Sequence, residues 1–241
     1  MQVDRFYTNI AMRGKNILAR GYDANGAVFR EKIEFRPTMF VPTNKETKYK
    51  TLNGLYVEPF QPGDINETRE FVQKYQDVSG FDIYGNTDFI YQYIGENYKG
   101  EIDYDLSKIK VAIIDIECES EHGFPKPEDA NERINAITVD YNGHVFVYGL
   151  GEFALPEKKN LQHFAFETEE ELLSSFLSTW YIESPDVVTG WNVRFFDIPY
   201  LINRIEKVLG DSESKKMSPW NIIKERTVRK MNRENQTYEI V

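Results

Sequence analysis

The sequence predicts a chain of mixed α+β and α/β class that folds as two domains, residues 1–107 and residues 108–241. Its 241 residues admit one large domain or two small ones, and an apolar content of 41% is enough for buried cores. Strand-like segments with strong turn signals dominate before about Asp105. A strand-like meander and then alternating helical and strand-like segments follow from about Lys108.

The first predicted domain is a small α+β module. Two strand-like segments flank Asn25-Gly26, a dipeptide typical of a β-hairpin turn. A short helix is predicted over residues 67–75, with Asp64 or Asn66 near its start. The two strand-like segments are residues 16–22 and 27–35.

The second predicted domain begins with the strand that carries Asp115. Two further strands are joined around Asn142-Gly143, another hairpin signal. Thr168 and Glu171 have the spacing of a capping box at the start of a helix. The segments predicted after the first strand are, in order, strands 134–140 and 144–149, helix 172–180, strand 187–191 and a helix after Asp197.

Two carboxylates lie two residues apart in an otherwise apolar segment, Val111-Ala-Ile-Ile-Asp115-Ile-Glu117. On a strand, Asp115 and Glu117 project from one face while Ile114 and Ile116 project from the other. The apolar run is typical of a strand buried on both faces, where two carboxylates repel each other and lose hydration. A divalent cation relieves both costs, and oxygen ligands without His or Cys favour Mg²⁺ or Mn²⁺. The alternative is a pair of solvated residues at a strand end.

A third carboxylate, Asp197, lies between a predicted short buried strand, residues 186–192, and a predicted helix. Pro199 suits the first turn of that helix, and Gly210 suits its end. Asp197 therefore stands at a helix N-terminus. It is either the N-cap residue of the helix or a third ligand of the metal site.

These residues resemble a known family. Asp115-Ile116-Glu117 is similar to the first motif, and Asn192-Val-Arg-Phe-Phe-Asp197 to the second motif, of the 3′-5′ proofreading exonuclease in family B DNA polymerases. Gly123-Phe-Pro125 and Thr189-Gly-Trp-Asn192 are most similar to the replicative polymerases of T4-like bacteriophages. The resemblance runs from near Phe6 to the end of the chain and implies the N-terminal part of such a polymerase.

The resemblance implies a ribonuclease H-like exonuclease domain that removes 3′-terminal nucleotides with two Mg²⁺ or Mn²⁺ ions about 3.5–4 Å apart. Asp115 would hold both ions, Glu117 the ion that carries the attacking water, and Asp197 the second ion. Family members carry a third motif, Tyr-x-x-x-Asp, and no segment after Asp197 has this form. The exonuclease domain is therefore expected to lack its C-terminal end, and the isolated chain to be weakly active or inactive.

By the same resemblance, Asn192 and Phe196 line the path of single-stranded DNA. Phe124 follows His122-Gly123 in a loop and could stack on a base of the frayed primer end. The alternatives are that Phe124 tucks into the core of its own domain, that Asn192 fixes the loop, and that Phe196 packs internally.

The last segment of the chain resembles the β-hairpin that separates strands at the primer–template junction in family members. Strand-like residues 227–231 and 237–241 surround a turn, and Arg229, Lys230 and Arg233 are predicted to contact DNA. The alternative is an exposed, solvated hairpin.

Composition limits the partners. There are 29 Lys and Arg against 39 Asp and Glu, a formal net charge of −10, so contacts with nucleic acid must be local. The expected partners are a single-stranded 3′ end, primer–template DNA and the remainder of the polymerase in the same or a separate chain, with a sliding clamp reached through the missing part. No membrane segment is predicted, and Cys118 is expected to serve packing. The expected location is the cytoplasm of a bacterial host.

Two other functions are open at this point. The first domain could be an RNA-binding module for translational regulation, which the resemblance to T4-like polymerases also suggests; its aromatic and basic side chains would contact single-stranded RNA. The alternative is that the aromatics form the core face of a hairpin. The chain could also be the non-catalytic half of a split polymerase. The residues considered for RNA are Arg5, Phe6, Tyr7, Arg13, Lys15, Arg20 and Tyr22.

Overall fold

In the computed structural model, the described residues are 5–154, 157 and 159–224, together with the backbone of 229–231 and 238–240. The chain forms two compact units, Met1–Lys108 and Ile109–Val241. The elements of the first unit are β1 (Phe6–Arg13), β2 (Asn16–Tyr22), β3 (Val28–Glu34), β4 (Met39–Pro42), β5 (Val57–Phe60), α1 (Ile65–Tyr75) and α2 (Phe89–Asn97).

The first unit contains two antiparallel sheets, β1-β2-β3 and β4-β5. The hairpin predicted around Asn25-Gly26 is confirmed, because β2 pairs with β3 from Tyr22↔Val28 to Asn16↔Glu34. Gly26 has a φ of 78°, a conformation that glycine adopts without a steric penalty. The local turn signal therefore determines the pairing of these two strands.

Helix α1 is also confirmed, and it begins two residues earlier than predicted. Asp64 is its N-cap, and the Asp64 side chain accepts hydrogen bonds from the N–H groups of Asn66 and Glu67. The Glu67 carboxylate accepts one from the Asp64 N–H at 2.7 Å, which completes a capping box. Helix α2 was not predicted.

The aromatics proposed for RNA binding lie mainly in the core of the first unit. Phe6 and Tyr22 are 6% and 3% exposed, and their rings pack 5.4 Å apart. Arg20 is also buried, at 4% exposed. The alternative of an exposed RNA-binding surface is therefore wrong for Phe6, Arg20 and Tyr22, because all three are buried. Strand β2 is covered on both faces, since every residue from Ile17 to Tyr22 is buried.

The second unit is built on one five-stranded sheet of order β10-β6-β7-β8-β9. Strands β6, β7 and β8 form an antiparallel meander, whereas β9 is parallel to β8 and β10 is parallel to β6. Its elements are β6 (Val111–Cys118), β7 (Ile134–Tyr141), β8 (His144–Leu150), β9 (Leu161–Phe166), α3 (Glu169–Glu183), β10 (Val187–Thr189), α4 (Asp197–Leu209), α5 (Asp211–Ser214), a 3₁₀ turn (Lys215–Met217), β11 (Arg229–Met231) and β12 (Tyr238–Ile240).

Most of the elements predicted in this unit are confirmed. The β7–β8 hairpin turns at Asn142 and Gly143, both with positive φ. Helix α3 begins at the capping box of Thr168 and Glu171, and α4 ends at Gly210. Strand β9 was not predicted, since most of its side chains are exposed and its sequence lacks an alternating apolar pattern.

The core of this unit lies between the sheet and helices α3 and α4. Ile114, Ile137, Leu172, Phe176 and Tyr200 are all at most 1% exposed within it. Burial of this apolar area is the main force that holds the helices on the sheet.

Two burial predictions are corrected. Strand β6 is buried on one face only, because Ile113 is 51% exposed while Ile114 is 1% exposed. Strand β10 is exposed rather than buried, with Val187 and Val188 at 45% and 37%. One face of β6 and both faces of β10 are left uncovered by the described helices, so the apolar run alone gave the wrong environment.

The predicted C-terminal hairpin is confirmed in its backbone pairing, since β11 and β12 pair antiparallel from Arg229↔Ile240 to Met231↔Tyr238. The predicted turn, including Arg233, lies outside the described residues. Among the helices that the structure describes, none is long and apolar enough to cross a membrane.

Candidate active site

Strand β6 places the first two carboxylates on the open face of the sheet. Ala112, Ile114 and Ile116 are buried against the helices, whereas Asp115 and Glu117 are exposed on the opposite face. This is the alternation that the sequence predicts. Both carboxylates are therefore accessible from solvent and point away from the core.

Strand β10 brings the second motif beside the first. It pairs with β6 through Thr189↔Ile113, and the next residue, Gly190, lies against the backbone of Ile114. A Cβ atom at Gly190 would lie 2.4 Å from the Ile114 carbonyl oxygen, so only glycine fits. Residues 187–190 therefore run alongside β6 as far as Ile114, the residue before Asp115.

Asn192 then turns the chain into α4. Its φ is 56°, a left-handed conformation that Asn tolerates better than most residues. The Asn192 carbonyl accepts hydrogen bonds from the N–H groups of Phe195 and Phe196, at 2.9 and 3.0 Å. The backbone of Asn192 therefore fixes the loop, as one of the two alternatives proposed, and its exposed side chain is open to solvent.

Asp197 is the first residue of α4, and Phe196 is the N-cap. The Asp197 side chain is therefore not the N-cap of the helix, which was one of the two roles considered. Instead, Asp197 Oδ1 accepts a hydrogen bond of 3.2 Å from the N–H of Ile116, the residue between Asp115 and Glu117. The structure therefore brings the two motifs together, although Ile116 and Asp197 are 81 residues apart.

The electrostatics of Asp197 reflect this position. Burial raises the pKa of the Asp197 carboxyl above its usual range, and the charges of Asp115 and Glu117 raise it further. Hydrogen bonds from two backbone N–H groups, that of Asp197 itself and that of Ile116, lower this pKa and oppose the other effects. The negative charges of Asp115 and Glu117 thus oppose ionisation of the Asp197 carboxyl.

The acidic site is not a closed ligand set. Among residues 5–154, 157 and 159–224, no three His, Cys, Asp or Glu side chains are arranged to hold a metal ion. Asp197 is held by its bond to Ile116, whereas Asp115 and Glu117 are exposed. The donors present are all carboxylate oxygens, the type that Mg²⁺ and Mn²⁺ prefer.

An aromatic pair lies at the entrance to α4. Phe124 is 83% exposed, and its ring centroid is 5.6 Å from that of Phe196. Phe196 in turn stacks on Tyr200, which is fully buried. The alternative that Phe124 tucks into the core is wrong, whereas Phe196 does pack partly against it.

Cys118, directly after Glu117, serves packing as predicted. It lies against the core, and burial raises the pKa of its thiol to about 12. A thiol with so high a pKa is protonated at neutral pH and is a poor nucleophile.

Phe124 lies in a loop, residues 119–133, that contains a further acidic residue, Glu132. Glu132 binds His122 across this loop and was not identified from the sequence. Glu132 Oε1 accepts hydrogen bonds from the backbone N–H of His122 at 3.1 Å and lies 2.9 Å from His122 Nδ1. The hydrogen bond with the His122 side chain lowers the pKa of the Glu132 carboxyl below its usual range, although burial opposes this.

A pH dependence follows for Glu132. A carboxyl whose pKa is lowered by folding stabilises the native state above its unfolded pKa of about 4.3, and this contribution is lost as pH falls through the folded value. Glu132→Gln is therefore expected to be less stable than wild type at pH 7, with a difference that shrinks below about pH 4. Urea midpoints measured between pH 3 and pH 7 test this. Glu128→Gln, an exposed residue of the same loop, is the control. A difference that stays constant with pH would contradict the assignment.

A buried ion pair was also not predicted. Arg204 of α4 binds Glu169 of α3 through two hydrogen bonds of 2.8 and 2.6 Å. Glu169 also accepts a bond of 2.8 Å from the N–H of Ile134, where β7 begins. The pair therefore joins helices α3 and α4 and the start of strand β7. Its partners are 35 residues apart, so no local pattern reveals it.

The structure does not test the predicted DNA contacts of the C-terminal hairpin. Arg229 and Lys230 lie in β11, of which only the backbone is described. Their role stays a prediction, as does that of Arg233.

Comparison with known proteins identifies the class of this fold and site. The sequence profile of the family described as DNA polymerase family B, exonuclease domain, matches residues 69–241. The chain therefore belongs to this family, as its resemblance implied.

Individual relatives agree. The chain is 32% identical to the DNA-directed DNA polymerase of Escherichia phage RB69, over 89% of this chain and 27% of that protein. It is 30% identical to the DNA-directed DNA polymerase of Enterobacteria phage T4, over 98% of this chain and 29% of that protein. The DNA polymerase catalytic subunit of human herpesvirus 6A is 34% identical over 39% of this chain and 10% of that protein. The chain thus spans less than a third of the length of the phage relatives.

Proposed function

We propose that residues 109–241 form a ribonuclease H-like proofreading domain that hydrolyses the 3′-terminal phosphodiester of DNA during replication. The observation that carries this proposal is the hydrogen bond between the Ile116 N–H and Asp197, which joins the two exonuclease motifs into one acidic site. Membership of the family and the parallel placement of β10 beside β6 support it.

The donors of this site fit two divalent ions, Mg²⁺ or Mn²⁺. Asp115 would hold both ions, Glu117 the ion with the attacking water, and Asp197 the second ion. Such ions, when bound, make water a better nucleophile and offset charge on the leaving oxygen. Burial is the main cause of the raised pKa of Asp197, and the charges of Asp115 and Glu117 add to it; a bound cation would offset the repulsion from these two charges. Asp115 and Glu117 are exposed and can turn toward an ion, which accounts for the open arrangement of the three.

The substrate is proposed to approach over the aromatic pair. Phe124 and Phe196 would stack on the terminal base, since every base offers a face for stacking and this contact tolerates any sequence. The exposed Asn192 amide would donate to the strand. Arg229, Lys230 and Arg233 would contact phosphates near the primer–template junction and offset the acidic balance of the chain.

The proposed setting is the replication of phage DNA in the cytoplasm of a bacterial host. The remainder of the polymerase, in the same or a separate chain, would supply the third motif and DNA synthesis, and a sliding clamp would act through that part. The RNA-binding alternative is weakened by the burial of Phe6, Tyr22 and Arg20.

Digestion of a 3′-labelled single strand tests the proposal. The expected result is Mn²⁺-dependent release of label, weak for this chain alone and stronger when the remaining part of the polymerase is added. Asp115→Ala should remove it, whereas Glu170→Ala, an exposed carboxylate of the same unit, should not. Equal activity in Asp115→Ala, or release of label in EDTA, would overturn the proposal.

A further inference from the structure

The loop between β6 and β7, residues 119–133, is fastened to one face of α4. Four donor side chains of the helix are spaced at i, i+3, i+4 and i+7, so they form one stripe. All four donate to backbone carbonyls of the loop. Tyr200 donates to Glu132 at 2.6 Å, Asn203 to Pro127 at 2.8 Å, Arg204 to Ala130 and Asn131 at 3.0 Å each, and Lys207 to Asp129 at 3.2 Å.

These bonds give the backbone carbonyls of the loop the hydrogen-bond donors that the loop itself lacks. An irregular segment has no strand or helix partner for its carbonyls, and a carbonyl left unpaired near the core is costly. Arg204 is itself fixed by Glu169, so its guanidinium is held in place while it binds the loop. The base of the loop is closed separately, by a hydrogen bond of 2.8 Å from the Glu119 N–H to the Arg133 carbonyl.

The N-terminal end of α4, where this stripe begins, carries Asp197 of the acidic site. Asp197 and Phe196 precede Tyr200 by three and four residues, and Phe196 is the residue that Phe124 contacts. Phe124 is 83% exposed, so burial in the core does not fix its position. The position of Phe124 beside Phe196 therefore depends on the rest of the loop, which is hydrogen-bonded to α4.

We propose that Asn203, Arg204 and Lys207 are positioning residues for the substrate. They bind the loop to α4, so that Phe124 lies beside Phe196 and stacks on the terminal base of single-stranded DNA next to Asp197. This inference rests on the proposed function of the site. It predicts that a loosened loop weakens DNA binding through Phe124 and leaves the carboxylates unchanged.

The test uses the double variant Asn203→Ala/Lys207→Ala, which spares the buried ion pair of Arg204. Glu206→Ala, an exposed residue on the same helix, is the matched control. Hydrogen exchange of loop peptides is expected to become about tenfold faster in the double variant only. Affinity for oligo(dT) in EDTA, measured by fluorescence anisotropy, is expected to fall by about fivefold, because base stacking on Phe124 becomes less well ordered.

A double-mutant cycle with Phe124→Ala decides whether the effect passes through that ring. Phe124→Ala alone should weaken binding by on the order of tenfold, and adding Asn203→Ala/Lys207→Ala should weaken it no further. Independent, multiplied effects would overturn the inference, as would unchanged exchange in the loop. If wild type neither binds oligo(dT) nor digests DNA with the remaining part of the polymerase, the proposed function fails and the inference falls with it. If wild type is active and the variant matches it, only the inference falls.

Discussion

Asp197→Asn is expected to abolish the proposed nuclease activity and, at the same time, to raise the melting temperature of the metal-free chain. The amide keeps an oxygen that accepts the hydrogen bond from the Ile116 N–H. It removes a buried charge whose pKa is raised by burial and by Asp115 and Glu117. The expected gain is on the order of 1 kcal/mol, or about 2–4 °C for a chain of this size.

The loss of activity should be at least about 10²-fold, because metal ions supply several kcal/mol of transition-state stabilisation and each 1.4 kcal/mol is a factor of ten. Differential scanning fluorimetry in EDTA measures stability, and digestion with Mn²⁺ in the presence of the remaining part of the polymerase measures activity. Asp197→Ala is the control, since it removes both the charge and the hydrogen bond and should show no such gain in stability. A melting temperature for Asp197→Asn below that of wild type would contradict the electrostatic account.

Glu169→Ala is expected to cost about 3–5 kcal/mol of folding stability, the typical cost of leaving one partner of a buried ion pair alone. The Arg204 side chain is 13% exposed and would lose both hydrogen bonds to the carboxylate. The N–H of Ile134 would also lose its acceptor. The measurement is the free energy of unfolding in urea.

Glu170→Ala is the matched control for this variant. Glu169 and Glu170 both lie in the first turn of α3 and share its helix dipole, but Glu170 is exposed. Its replacement should change stability by less than about 0.5 kcal/mol. Equal effects of the two variants would mean that the helix dipole, and not the ion pair, gives Glu169 its role.

Local patterns in the sequence predicted local structure well. The spacing of Asp115 and Glu117 gave their shared face on β6, and the capping box of Thr168 and Glu171 gave the start of α3. In both cases the determining interactions lie within a few residues of one another. The resemblance to a family added the grouping of Asp197 with the other two carboxylates, which spacing alone left open.

Contacts between distant residues were not predictable in the same way. The bond between Asp197 and Ile116 and the pair of Arg204 with Glu169 depend on how β10 and α4 pack. The polar stripe of α4 had a visible signal in its i, i+3, i+4 and i+7 spacing, but nothing in the sequence identifies its partner as an irregular loop. The prediction of burial was wrong for one face of β6 and for both faces of β10, because an apolar run does not reveal whether another element covers a given face.

The one-sided burial of β6 gives alternate positions of a single strand separate evolutionary constraints. Substitutions at Ala112, Ile114 and Ile116 change packing and therefore the amount of folded protein. Substitutions at Asp115 and Glu117 change the chemistry of an open face while the core stays intact. A designer can therefore vary the chemistry of this face at the second set of positions without repacking the domain.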